Sequence, residues 1–231
     1  MEQHKESDGD VLLGQLVRLR LIAEMANTAW SEAKDASHLA STMLHLRSLQ
    51  VQLQNFRSSI PGHLLKNKAL LLELHNTEIT VYEIALVDIF PGHDLQRVDH
   101  LVACLQSVKD WTDTFLSVPP ADFFGFPTAV SKQKNHSLVT FFRLSSCECP
   151  AWDRNLIIER LDFAVALDRM ANSYAQVKDE VPLDTTQELD VFSMMASKLR
   201  STKSSWTTSL GYIPNPWDLL SMDELSMELF V

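Results

Sequence analysis

The sequence predicts an all-α fold, a single-domain helical array of about seven helices with short connections. Three observations predict it. Apolar residues recur at steps of three and four along nearly all of the 231 residues. There are only 6 glycines and few tight-turn dipeptides, which disfavours many short strands. Prolines fall between the periodic stretches rather than inside them.

Each element follows from that periodicity. Val11, Leu12, Leu16, Leu19, Ile22, Ala23, Ala26 and Trp30 line one side of a first helix, with Asp10 as its expected cap. Leu39, Met43, Leu46, Leu49, Leu53, Phe56 and Ile60 line a second, which Pro61-Gly62 stops. A third is expected from about Lys66 to Asp88, with Leu71, Leu74, Glu78, Val81 and Ala85 as its stripe. Phe90-Pro91-Gly92 breaks the chain again. A fourth spans about Leu95 to Leu116 through Val98, Leu101, Leu105, Val108, Trp111 and Phe115.

The consecutive Pro119-Pro120 cannot continue a helix, and an irregular stretch to Pro127 follows. A fifth helix uses Val130, Lys134, Leu138, Phe141 and Phe142. A sixth is expected through Leu156, Arg160, Phe163, Leu167, Met170, Tyr174 and Val177. After Pro182, a seventh uses Leu189, Phe192, Ala196, Leu199 and Trp206. Residues 1–10 read as a disordered N-terminus, 11–210 as the helical domain, and 211–231 as a tail. That tail alternates acidic and apolar groups without one basic residue, the composition of activation segments.

Composition excludes several function classes. A formal net charge of -10 opposes direct binding to nucleic acid and to anionic membrane surfaces. No stretch approaches the ~20 apolar residues of a membrane helix, and no secretory leader is visible. Cys104, Cys147 and Cys149 lack the spacing of a structural zinc site and read as reduced thiols of an intracellular protein. There is no phosphate-binding glycine loop, no zinc-type histidine pair and no serine-nucleophile elbow. Neither a cofactor nor a metal is expected.

One stretch carries more than periodicity. Phe56-Arg57-Ser58-Ser59-Ile60-Pro61-Gly62-His63-Leu64 ends one helix; Leu70-Leu71-Leu72-Glu73-Leu74-His75-Asn76-Thr77-Glu78-Ile79-Thr80-Val81-Tyr82-Glu83-Ile84-Ala85-Leu86 fills the next. This resembles the regulatory (middle homology) region of fungal zinc-cluster transcription factors, over roughly Val11 to Leu210 in order of elements. The stretch from Lys198-Leu199-Arg200 to Trp206 is similar to that family's later phrase. The six-cysteine zinc cluster of those factors is not among these residues, since the chain has 3 Cys. The fifth helix departs from the family by carrying Lys132, Lys134, Asn135 and His136.

The residues that could carry chemistry fall into two sets. His75 and Glu78 lie a turn apart on the third helix, with Tyr82 one turn further on. A buried carboxylate must be paired, hydrogen-bonded or neutral, and desolvation alone would raise its pKa. The cluster reads either as an acid-base site or as a helix-to-helix hydrogen-bond network. Lys134 and Arg160 fall on otherwise apolar stripes; if those faces converge they could, with His136, orient a developing anion, and taken singly each is expected to snorkel outward. Trp111, Phe115, Phe123, Phe124, Phe126, Phe141, Met170 and Tyr174 could wall an apolar ligand chamber. Three phenylalanines in the Phe123–Phe126 loop cannot all stay in water cheaply, so that loop is expected to fold down as a lid.

The expectation from sequence is a stand-alone, transcription-factor-like helical protein repurposed to bind and transform an apolar secondary metabolite. The chemistry would be cofactor-free dehydration, isomerisation, cyclisation or a Diels-Alder-type cycloaddition. A chain that runs from Met1 almost directly into its first helix is expected to be a complete small cytoplasmic protein, with a homodimer left open. The alternative is a ligand- or partner-responsive effector domain of a zinc-cluster transcription regulator, which would be nuclear.

Overall fold

The computed structural model describes residues 7–32, 39–87, 94–126, 128–180 and 191–208. The expected breaks at Phe90-Pro91-Gly92 and Pro182 and the acidic tail at 211–231 lie outside them. Among the described residues there are eight α-helices and no strand: α1 (Asp8–Glu32), α2 (Leu39–Ser59), α3 (Lys68–Tyr82), α4 (Asp94–Leu116), α5 (Thr128–Ser146), α6 (Asn155–Arg160), α7 (Phe163–Glu180) and α8 (Val191–Thr208). Short 3-10 turns occupy Gly62–Leu64, Glu83–Leu86 and Pro120–Gly125. The fold is all-α, as the apolar spacing predicts.

Backbone packing gathers these elements into two compact units. The first comprises the chain up to Trp111 together with 147–152; the second comprises 112–146 and the chain from Asp153 on.

In the first unit α1, α2 and α3 pack on one another. Their core holds Leu19, Ile22, Ala26, Leu46, Leu49, Leu53, Phe56, Leu70, Leu74 and Val81, and the inward positions follow the 3.6-residue period. The start of α1 differs in detail from the expectation. Ser7, not Asp10, is the cap: its hydroxyl accepts from the Asp10 N–H at 3.2 Å, while Asp10 Oδ2 accepts from the Ser7 N–H at 3.0 Å. This reciprocal pair satisfies two donors that a helix start leaves open.

α3 starts at Lys68 because the Asn67 side chain accepts from the Leu70 N–H at 3.0 Å. It tightens into the 83–86 turn rather than running to residue 88. There the Arg97 guanidinium donates to Ala85 O at 2.9 Å and Val87 O at 3.0 Å. A cation on carbonyls left open at a helix end is favourable for both charge and hydrogen bonding.

In the second unit α7 lies along α8, and the Pro120–Gly125 turn packs on α7. Leu167, Met170, Ala171, Tyr174 and Val177 form the buried stripe of α7. The expected sixth helix is two helices. Leu161 is extended, with φ -148 and ψ 106. Asp162 then opens α7, accepting from the Val165 N–H at 3.1 Å. The apolar repeat runs through this break unbroken, so periodicity alone hides it. The capping carboxylate decides it.

Candidate functional site

The first candidate cluster sits where the end of α2 meets the middle of α3. Pro61 ends α2 just after Arg57 comes to face α3. Arg57 donates from Nε to Glu78 Oε1 at 2.5 Å and from Nη2 to Oε2 at 2.8 Å. His75 Nδ1 lies 3.2 Å from Glu78 Oε2, one turn earlier on the same helix. An ionised carboxylate only accepts, so His75 donates from Nδ1. Glu78 is almost wholly buried, whereas the Arg57 side chain keeps 48% of its surface. Burial pushes the Glu78 carboxyl up. The hydrogen bonds from His75 and Arg57 and the Arg57 charge outweigh it, holding the group below its ordinary value. The bond to Glu78 likewise raises Arg57 against a smaller opposing effect of burial. Tyr82 is raised, first by burial and then by the Glu78 charge.

Arg57, His75 and Glu78 thus form a hydrogen-bonded network in which the buried carboxylate accepts three bonds. Arg57 is the member that sequence reasoning missed. The sequence shows a cation in the last turn of α2 and a carboxylate on the stripe of α3, but their spacing does not say that the two meet.

Beside it, His100 on α4 contacts Gln96 O through Nδ1 at 2.6 Å and Gln50 Nε2 through Nε2 at 2.7 Å. The carbonyl can only accept, so Nδ1 carries the proton and Nε2 accepts from the Gln50 amide. The Tyr82 ring meets His100 edge-on at 5.9 Å. α2, α3 and α4 of this unit are thus tied by polar bonds as well as by apolar packing.

The second cluster lies in the other unit. Lys134 is buried on α5, with Nζ 5.5 Å from the centroid of the Tyr174 ring. Tyr174 is itself buried, and burial raises its hydroxyl pKa well above the ordinary value. Phe123 approaches that ring at 5.2 Å and Phe115 at 5.8 Å, and the two phenylalanines stack at 5.0 Å. Met170 is buried in the same unit on α7. A separate aromatic group joins Phe141 to Phe163 at 4.3 Å, with Trp206 against Phe163 and Phe142.

The remaining expected site residues scatter. Arg160 ends α6 and is exposed, so α6 does not bring it inward beside Lys134. His136 is half-buried on α5 and, two residues on from Lys134, points to a different face. Trp111 is fully buried and belongs to the first unit, not to the unit that holds Phe115 and Tyr174. The 123–126 loop folds down only in part. Phe123 is buried and stacks on Phe126 at 5.6 Å, but Phe124 stays 64% exposed.

Cys104, Cys147 and Cys149 are buried and form no disulfide with one another. Among the described residues, no group of three His, Cys, Asp or Glu side chains is placed to hold a metal ion. No described helix is long and apolar enough to cross a membrane.

Comparison with known proteins points to fungal transcription factors. The chain is 34% identical over 216 residues to the transcription factor opdL of Penicillium oxalicum, an alignment covering 91% of this chain and 38% of that protein. It is similar to a fungal transcription-factor-like family. A second relative, described as a transcription factor of Aspergillus terreus, is 24% identical over 217 residues, covering 85% of this chain and 36% of its own length. The chain therefore spans under two-fifths of the length of either relative. A family model described as a C-terminal domain matches residues 120–215, which take in the Pro120–Gly125 turn and α5 to α8. No solved structure matches.

Proposed function

We propose that the chain is the ligand-responsive effector region of a fungal transcription regulator and works in the nucleus. The observation that carries this reading is the 34% identity to a protein named as a transcription factor, sustained over 91% of the chain. The geometry supports the effector over the enzyme. A general base near neutral pH needs an accessible carboxylate with a raised pKa. Glu78 is buried, ionised and occupied by three hydrogen bonds, so it serves as a structural tie. The net charge of -10 fits a region that acts through proteins or small molecules rather than on DNA itself.

The test is a fusion of residues 1–231 to an unrelated DNA-binding domain, assayed on a reporter that carries its site. The expected result is activation or repression relative to the DNA-binding domain alone, with the fusion in the nucleus. Reporter output equal to that of the DNA-binding domain alone, at equal protein level, overturns the proposal.

A further inference from the structure

α1 is apolar on two opposite sides. Leu19, Ile22, Ala23, Ala26 and Ala29 are buried in the first unit. On the far side Leu13, Val17 and Leu21 keep 60%, 50% and 53% of their surface. A helix that only covers a core carries polar residues on that outward side. Single exposed apolar side chains are ordinary, but these three follow one another at intervals of four and so form one ridge. Ridges of that spacing are the ones helices most often use to pack on each other.

The charges beside the ridge decide what fits it. Between Asp10 and Glu24, α1 holds two cations, Arg18 and Arg20, and no acidic residue, in a chain of net charge -10. Successive residues of a helix lie about 100° apart, so Arg18 and Arg20 fall on opposite margins of the ridge. Their contacts agree: Arg18 lies over the Phe56 ring of α2 at 5.4 Å, and Arg20 is 3.8 Å from Glu73 of α3. Neither contact uses up its guanidinium, which has five N–H donors. Arg18 is exposed, and the Arg20 side chain keeps 64% of its surface. A second copy fits poorly. A two-fold contact centred on Val17 would gather the arginines of both copies and set Asp10 beside Glu24, like charge on like.

We propose that the Leu13–Val17–Leu21 ridge docks an acidic amphipathic helix of a partner protein. Its leucine or phenylalanine side chains would interlock with the ridge, and carboxylates on its two flanks would face Arg18 and Arg20. The apolar row supplies affinity, while the flanking charges set orientation and reject cationic helices. For its consequence in transcription this inference rests on the effector reading above; for binding itself it does not.

The experiment titrates the full 231-residue chain into a fluorescently labelled helical peptide. The peptide has leucine at the first and fourth places of a roughly seven-residue repeat and glutamate beside them. The control peptide has lysine in place of glutamate. Anisotropy should show saturable binding of the acidic peptide that weakens with added salt, and binding of the lysine peptide weaker by at least about 10-fold. Val17→Glu, and separately Leu13→Ala/Leu21→Ala, should each cost about 10-fold or more in affinity. The melting temperature should hold, because these side chains are exposed in the free protein. Should Val17→Glu fail to fold, the double alanine variant decides. Equal binding of the two peptides, no saturable binding, or full affinity in the ridge variants overturns the site. Dimerisation in sedimentation that Val17→Glu abolishes would overturn the partner in favour of a second copy. Tighter peptide binding by Leu225→Ser/Leu229→Ser would overturn it in favour of the chain's own acidic tail. A silent reporter fusion alongside selective binding of the acidic peptide would sink the effector reading and leave the site standing; an active fusion without that binding would do the opposite.

Discussion

Arg57 and Glu78, 21 residues apart in the chain, meet through two parallel hydrogen bonds that join the last turn of α2 to the middle of α3. The bidentate fork is the strongest polar geometry available to a carboxylate. His75 adds a third bond from the same helix. The pair therefore ties the end of α2, just before Pro61, to α3.

Removing one partner leaves the other in trouble. Arg57→Met strands a buried carboxylate, and loss of a partner from a fully buried pair costs about 3–5 kcal/mol. Arg57 is about half exposed, so the expected loss is nearer about 2–3 kcal/mol. Arg57→Met/Glu78→Gln should be more stable than Arg57→Met alone, because the stranded charge is gone. Urea denaturation of the four proteins in a double-mutant cycle measures this. Strict additivity would show that the pair is not coupled.

The same pair sets a pH dependence. The Glu78 carboxyl lies below its ordinary value of 4.5 in the folded protein. A depressed folded pKa means that the unfolded chain takes up this proton first as pH falls. The contribution is therefore full above the ordinary value and disappears as pH falls through the lower folded value. Wild type should exceed Glu78→Gln by a constant margin from pH 7 to about pH 5, and the margin should shrink below about pH 4.5. A margin that held unchanged to pH 3 would contradict the assignment.

What was legible in the sequence was whatever follows from one helix at a time. Leu46, Leu49, Leu53 and Phe56 are buried because their spacing puts them on one side of α2. Glu78 and Lys134 were placed inward by the same rule, and both are buried. The phrase from Pro61 to Leu86 carries the most specific part of the family resemblance, yet the family model lies on residues 120–215, which hold both the departing fifth helix and the family-like stretch from Lys198 to Trp206. Contacts made across elements were not legible. Nothing in the spacing names Arg57 as the partner of Glu78, since the turn at 62–64 decides which faces meet. Nor does periodicity reveal the break before Phe163, which keeps the repeat in step while Asp162 starts a new helix. Arg160, open in the sequence either to converge on Lys134 or to snorkel outward, lies exposed at the end of α6.

Asp162 gives a direct test of that break. Its carboxylate accepts from the Val165 N–H and its carbonyl from the Ala166 N–H. Asp162→Ala should destabilise the protein by about 1 kcal/mol, the usual loss for an N-cap, whereas Asp162→Asn should retain most of the stability. Chemical denaturation of both variants separates capping from net charge. Equal losses in the two would mean that the negative charge at the start of α7, rather than the cap, carries the effect.

The neighbouring rings of the Pro120–Gly125 turn should respond in opposite ways. In a 3-10 turn successive side chains point about 120° apart, so two adjacent phenylalanines cannot share one face. Phe123 goes inward against Phe115 and Tyr174, while Phe124 stays 64% exposed. Phe123→Ala should cost about 3–5 kcal/mol, as for other buried aromatic rings cut to alanine. Phe124→Ala should fall within about 0.5 kcal/mol of wild type, as surface substitutions do. Thermal and urea melts of the two variants suffice to tell. If Phe124→Ala proved as damaging as Phe123→Ala, the exposed ring would have to be covered in solution, and the turn would be a contact surface rather than a simple wall of the second unit.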